Sequence, residues 1–271
     1  MSDITIVLPV KNEAKNLATC IAAVAALGPI VVVDSGSSDD TKAIAEAAGA
    51  QVLNFDWNGQ FPKKRNWTLS QYDFKTEWVL FLDADEFVSP QFIEEVQAAI
   101  RSTEYVGFWL NFTNYFMGQA LRGGDAFRKL ALFRIGVGEY EKIEEDSWSH
   151  LDMEVHEHPV LEGTVGEIKT PIEHNDFRGL KHYIAKHNEY SSWEAARYLR
   201  LMKQQGPGWN GLTERQKKKY QNLAKWWFAP AYFVVSYVLK KGFLDGAVGF
   251  HFALMKAIYF YQIRLKIKVQ P

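Results

Sequence analysis

The chain has a single cysteine, Cys20, so no disulfide can form within it. That usage fits a reducing compartment. Cys20 lies among Leu17, Ile21, Val24 and Leu27 at helical spacing, which marks a core position, not a nucleophile. The opening "MSDITIVLPV" lacks a basic n-region and a long apolar h-region; it does not read as a signal peptide, and predicts a strand that begins a cytoplasmic domain. Gly-x-x-x-x-Gly-Lys-Ser/Thr is absent, which excludes a Walker-type phosphate cradle, and no Gly-x-Gly-x-x-Gly follows the first apolar run. The longest apolar stretch, "WWFAPAYFVVSYVL" at 226–239, falls short of the roughly 20 residues that span a bilayer. The sequence contains no internal repeat and no low-complexity segment.

What is present describes an ordinary globular chain of 271 residues, 47% hydrophobic and 23% charged. That length suits one large domain, or one domain with an appendage. A net charge of −1 conceals an asymmetry: residues 213–271 hold 11 Lys/Arg against two acids, Glu214 and Asp245, while residues 1–212 hold 20 against 30. A tail so basic predicts an acidic partner. The acidic remainder argues against nucleic acid, whose phosphates need positive faces.

The first hundred residues alternate strand and helix. "ITIVLPV" (4–10), "IVVVD" (30–34), "AQVLNF" (50–55) and "EWVLFLD" (77–83) read as strands. Continuous Val/Ile/Leu runs indicate strands covered on both faces. Helical spacing at 13–27, 37–49, 62–72 and 89–100 fills the intervals. Ser37 with Asp40 three residues on suggests a cap for the second helix; Ser89 followed by Pro90 suggests one for the fourth. This order predicts a largely parallel α/β sheet. Beyond residue 104, "YVGFWLNFTNYFMG", "FRKLALFRIG" and "VGEIKTPIEH" (165–174) read as longer strands, and 179–203 as a helix.

In such sheets ligands bind at the carboxyl ends of the strands. Those ends carry "KNE" (11–13), Asp34, and the acids Asp83, Asp85 and Glu86 of "WVLFLDADEF" (78–87). Clustered acids raise one another's pKa and call for a positive counterpart. An Asp-x-Asp turn holding Mn²⁺ or Mg²⁺ with a substrate diphosphate would supply it, since these ions favour oxygen ligands and keep positions for phosphate. A solvated acidic turn is the competing reading. In "FPKKRNW" (61–67), Lys63, Lys64 and Arg65 form either a solvated patch or a counter-charge for a nucleotide.

Together, "IVLPVKNEAKNLATCI", "VVVDSGSSDDT", "KKRNW" and "WVLFLDADEF" resemble the family 2 glycosyltransferases, which have the GT-A fold: a Rossmann-like, mostly parallel mixed sheet flanked by helices. "RKLALFR", "EVHEHPVLEGTVGEIKTPIEH" and "SYVLKKGFLDGAVGFHFALMKAIYF" resemble the bacterial branch that includes lipopolysaccharide core glucosyltransferases. The resemblance implies inverting transfer of a hexose, glucose from UDP-glucose, to a lipid-linked or lipopolysaccharide-type acceptor. It places Pro9, Asn12, Glu13, Asp34, Arg65 and Asp83 around the nucleotide, and Asp83 and Asp85 on the metal, with His174 as a late third ligand. The family's usual Glu-Asp base pair is not evident here; "VHEH" stands in its region, which points to Glu157 as base, with Asp146 and Asp152 as rivals. Inversion needs such a base for the acceptor hydroxyl. The resemblance divides the chain into a catalytic domain at 1–210 (nucleotide-sugar half 1–104, acceptor half 105–210) and basic, aromatic-rich amphipathic helices at 211–271. Those helices, with Asp245, His251 and Lys256 interrupting the second apolar stretch, read as lying on an anionic membrane surface and not as spanning it, a helical hairpin packed on the catalytic domain or forming a dimer being the competing reading. The protein would then sit peripherally on the inner face of the cell membrane.

Three other activities are conceivable. A sugar nucleotidyltransferase would carry a Gly-rich basic signature after the first strand, where "PVKNEAKN" stands. A phosphatase with an Asp-x-Asp nucleophile would carry it on its earliest strand. A non-catalytic membrane-surface module leaves the strand-end acids unexplained.

Overall fold

A computed structural model describes residues 3–101, 104–125, 127–142, 159–174, 179–204, 207–210 and 212–269. The first elements follow the expected alternation: β1 (Ile4–Val10), α1 (Leu17–Val24), β2 (Ile30–Asp34), α2 (Thr41–Ala47), β3 (Gln51–Asn54), α3 (Lys64–Gln71) and β4 (Trp78–Phe81). All seven residues of β1 and all four of β4 are buried, as their unbroken apolar runs require. β1 lies between β2 and β4, parallel to both, with Val10 opposite Asp34. The short β5 (Glu86–Phe87) and α4 (Pro90–Ala99) follow. Ser89 caps α4, its hydroxyl accepting from the Phe92 N–H at 3.2 Å.

The later strands are β6 (Gly107–Phe116), β7 (Gln119–Ala120), β8 (Phe127–Arg134), β9 (Gly138–Tyr140), β10 (Pro159–Leu161) and β11 (Val165–His174). The main sheet runs β3-β2-β1-β4-β8-β6-β11-β5, with β7 paired to β6, and β9 and β10 form a separate ribbon. β8 is antiparallel to β4, so the sheet is mixed. Cys20 is fully buried in this core, its thiol 3.7 Å from the Glu86 carbonyl oxygen.

Two predicted helix starts differ from what is observed. α1 begins at Leu17, not at residue 13, because the Glu13 N–H donates to the Thr41 hydroxyl at 2.8 Å and Asn12 adopts a left-handed backbone (φ 56°). α2 begins at Thr41. Ser37 does not cap it, because its hydroxyl donates to Asp34.

The chain divides into two compact units, one of residues 1–113 and 127–175, the other of 114–126 and 176–271. The second contains α5 (Leu180–Gln204), α6 (Pro207–Asn210), α7 (Glu214–Leu223), α8 (Phe228–Val234) and α9 (Gly246–Val269). α8 continues as a π-helical turn, Val235–Leu239, and a 3₁₀ turn, Gly242–Asp245, leads into α9. Ala195, Leu212, Tyr220, Leu223, Tyr259 and Ile263 form the unit's core. Asp245 does not interrupt this helical run. It is buried, and its carboxylate accepts from the Arg122 and Gly123 N–H groups, each at 2.9 Å. Residues 242–269 therefore make one helical run long and apolar enough to cross a membrane, with a third of its most apolar window buried. Neither terminal stretch was expected to provide such a helix.

Candidate active site

The strand ends of the first unit carry a connected set of polar side chains. Pro9 is buried within β1 and pairs with Val33 of β2. Immediately beyond β1, the Asn12 N–H donates to the Ser37 hydroxyl and the Asn12 Oδ1 accepts from the Ser38 N–H, both at 2.8 Å. Glu13 accepts from the Asn16 side chain at 3.0 Å. Asp34 ends β2, buried, and takes the Ser37 N–H at 3.0 Å together with the Ser37 hydroxyl. Acid, serine and asparagine thus lock the loop that joins the first two strand ends.

"KKRN" is not a solvated patch. Lys63, Lys64, Arg65 and Asn66 are all buried. Lys64 Nζ donates to the Val10 carbonyl at 3.1 Å, at the end of β1. Asn66 pairs with the Tyr140 backbone in both directions, at 2.9 and 2.8 Å. Arg65 reaches Asp83 Oδ1 at 3.0 Å. Lys64, Arg65 and Asn66, at the start of α3, therefore tie together β1, β9 and the β4–β5 turn.

The positive counterpart demanded by "DADEF" comes partly from the chain itself. Lys129, on β8, places Nζ 2.6 Å from Asp83 Oδ2 and in contact with Glu86 Oε1. The rings of Phe112 and Phe127 flank the ammonium, at 5.2 and 5.5 Å. The Asp83 N–H donates to Glu86 Oε2 at 3.0 Å. Burial pushes the Asp83 carboxyl up, but Lys129 and Arg65 outweigh it and hold the group well below the usual carboxylate range. Burial dominates at Glu86 and, against the pull of Lys129, pushes it up to about 7. Burial would lower Lys129, but Asp83 and Glu86 raise it well above the ordinary lysine range. Nothing in "FRKLALFR" singles out Lys129; its role depends on the antiparallel pairing of β8 with β4.

The predicted metal ligands do not share one arrangement. Asp85 Oδ2 and His174 Nε2 are 3.9 Å apart, because β11 pairs with β5 and sets His174 opposite Glu86. The Phe127 ring stacks on His174 at 6.0 Å. A carboxylate oxygen and an imidazole nitrogen at this separation fit a shared Mn²⁺ or Mg²⁺, whose bonds to oxygen are about 2.0–2.2 Å. Asp83 does not join them here, since Arg65 and Lys129 hold both its oxygens. The described residues contain no group of three or more His, Cys, Asp or Glu side chains placed to hold a metal. Glu157 and its rivals Asp146 and Asp152 lie outside the described residues.

The sequence model of the family described as Glycosyl transferase family 2 matches residues 5–149, and the chain belongs to that family. It is a glycosyltransferase with the mixed α/β architecture expected of the GT-A fold. Among its relatives is the lipopolysaccharide core biosynthesis glycosyltransferase LpsC of Rhizobium meliloti, 27% identical over 96% of this chain and 92% of that protein. An uncharacterized glycosyltransferase of Rickettsia felis is 26% identical over 92% of this chain and 86% of its own length. A TPR repeat-containing protein of Synechococcus elongatus is 33% identical over 109 residues, where the match spans only 27% of that longer protein. A crystal structure of glucosyl-3-phosphoglycerate synthase from Mycobacterium tuberculosis with Mn²⁺, UDP and phosphoglyceric acid shares 25% identity. The match covers 39% of this chain and 41% of that one, with a TM-score of 0.33.

Proposed function

We propose that the protein is an inverting, metal-dependent hexosyltransferase that takes glucose from UDP-glucose. The acceptor is a lipid-linked or lipopolysaccharide-type glycan at the inner face of the cell membrane. The observation that carries the donor half is the convergence of Asn12, Glu13, Asp34, Arg65, Asp83 and Asp85 at the ends of β1, β2 and β4, the edge where open α/β sheets take ligands. Asn12, Glu13 and Asp34 border the base and ribose. Arg65 and Asp83 order the diphosphate end. Asp85 and His174 would hold Mn²⁺ or Mg²⁺, which when bound stabilises charge on the departing diphosphate. Glu157 is assigned the acceptor proton. The match to LpsC along nearly the whole chain supports the acceptor class.

The helical unit supports the membrane part of this reading. Among the described residues, 14 of the 19 large hydrophobic side chains that are exposed fall within 226–269, a concentration that marks an interaction face. On α9 they recur as Phe250, Leu254, Ile258, Tyr261, Leu265 and Val269, one stripe by the three-to-four spacing of a helix. Lys225, Lys240, Lys241 and Lys268 stand exposed among them, as anionic lipid would require. The C-terminal part of α9 is fastened to α5 through Lys266, whose Nζ donates to Asn188, Ser191 and Ser192 at 2.7–2.8 Å. We read α9 as lying in the interface with α5 on its aqueous side. Crossing the bilayer would carry the polar α5 into hydrocarbon.

Thermal melting with UDP, GDP, dTDP and CMP, each with and without Mn²⁺, tests the donor assignment. Ligand at about 100 times its Kd adds roughly 2.7 kcal/mol. The expected result is a rise of several degrees with UDP that requires Mn²⁺ and is lost in Asp85→Asn. No rise with any nucleotide refutes the reading.

A further inference from the structure

Lys129 bears on how the site acquires its metal. At the β4–β5 turn, Asp83 is held by Arg65 and Lys129, and Lys129 also contacts Glu86. Lys129 is only partly exposed, its side chain 23% accessible. It sits between Phe112 and Phe127 with its ammonium on two carboxylates. A cation so placed occupies the Asp83 oxygen that a divalent ion would need, and repels any ion held nearby by Asp85 and His174. Mg²⁺ and Mn²⁺ commonly bind through one or two carboxylates completed by substrate phosphates. With Asp83 taken, the protein offers the ion little without a nucleotide.

We propose that Lys129 is a resident competitor for the metal: by holding Asp83 and Glu86 it keeps metal affinity low in the donor-free enzyme, so that the ion enters together with the nucleoside diphosphate. The inference rests on the reading of Asp85 and His174 as the metal pair. It makes Lys129 a positioning residue, acting through Asp83.

The test is binding of Mn²⁺ alone to the full chain, followed by the electron paramagnetic resonance signal of the free ion, with no nucleotide and no turnover. Lys129→Gln is expected to tighten Mn²⁺ binding about tenfold, the scale of repulsion between a monovalent and a divalent cation about 5 Å apart in a water-like medium. The gain should vanish in the double variant Lys129→Gln, Asp83→Asn. Lys129→Arg keeps the charge on both acids and should retain the wild-type affinity. Unchanged or weaker Mn²⁺ binding by a folded Lys129→Gln protein overturns the proposal. So does a gain in Lys129→Arg, a result that stands even if the Gln variant fails to fold. Release of UDP from UDP-glucose is measured separately. If the sugar is transferred while all variants bind Mn²⁺ alike, this inference fails and the transferase reading survives.

Discussion

Replacing Leu254, Ile258 and Leu265 together with Gln tests the membrane face of α9. Their side chains are 39%, 38% and 41% exposed in the free protein. Full burial of a Leu or Ile is worth about 1.5–3 kcal/mol. Two-fifths of that is roughly 0.6–1.2 kcal/mol each, so the three together contribute about 1.8–3.6 kcal/mol to insertion. At 1.4 kcal/mol per decade, partitioning should fall about 20- to 370-fold. The assay is co-sedimentation with vesicles of mixed anionic and zwitterionic lipid, titrated to give a partition coefficient. About three-fifths of each side chain packs against the protein, so the melting temperature should fall as well, and partitioning is read well below that transition. A wild-type protein that does not sediment with these vesicles, or a triple variant that loses less than threefold, refutes the reasoning. Self-association that the triple variant abolishes would assign the stripe to a second copy of the chain instead.

Asp245→Ala should destabilise the protein, because the Arg122 and Gly123 backbone N–H groups lose their acceptor. The cost is about 1–3 kcal/mol per group, a fall of roughly 5–15 °C on thermal melting; Asp245→Asn, which keeps one acceptor, should lose less. Burial pushes the Cys20 thiol up to about 12, and only the thiolate reacts. Native protein at pH 8 should therefore resist a disulfide reagent and react fully once unfolded in guanidinium; rapid native labelling would contradict the burial described. Asp85→Asn should retain its native melting temperature without ligand while losing the Mn²⁺-dependent nucleotide shift, and a preserved shift would remove Asp85 from the metal site.

The parallel half of the sheet was legible because its signals are local. β1, β2 and β4 are unbroken apolar runs, and Ser89-Pro90 marks the start of α4 without reference to anything distant. Ser37 misled for a physical reason: its oxygen, which would have accepted from the N–H groups at the α2 terminus, accepts from the Asn12 N–H instead, while its O–H donates to Asp34. The buried state of Lys63–Asn66 could not be read from composition, since four polar residues in a row ordinarily face water; here Lys64, Arg65 and Asn66 each meet a partner brought close by the tertiary fold. Lys129 was illegible for the same reason. It lies in a strand of unremarkable pattern, and only the register of β8 on β4 turns it toward Asp83. The metal suggested by the resemblance filled, on paper, an electrostatic demand that a lysine and an arginine already meet in part. α9 was underestimated because Asp245 looked like an interruption, whereas its charge is spent on two backbone groups at the helix entrance.

The pairing of Asp83 with Lys129 spans 46 residues of sequence, and this has a consequence for synthesis. A ribosome adding about 5–20 residues per second takes roughly 2–9 s to travel between them. By then β1 to β4 and their helices have all been made, and this parallel half can begin to assemble. The turn after its strand β4 nevertheless leads to Asp83 and Glu86, of which only Asp83 has a partner yet, in Arg65. The nascent domain therefore gains this neutralisation late, when β8 arrives and docks, with β11 still to be made. Premature termination or a long pause before residue 129 would leave the parallel half of the sheet with unbalanced charge at its active edge, the kind of intermediate that a chaperone or protease intercepts.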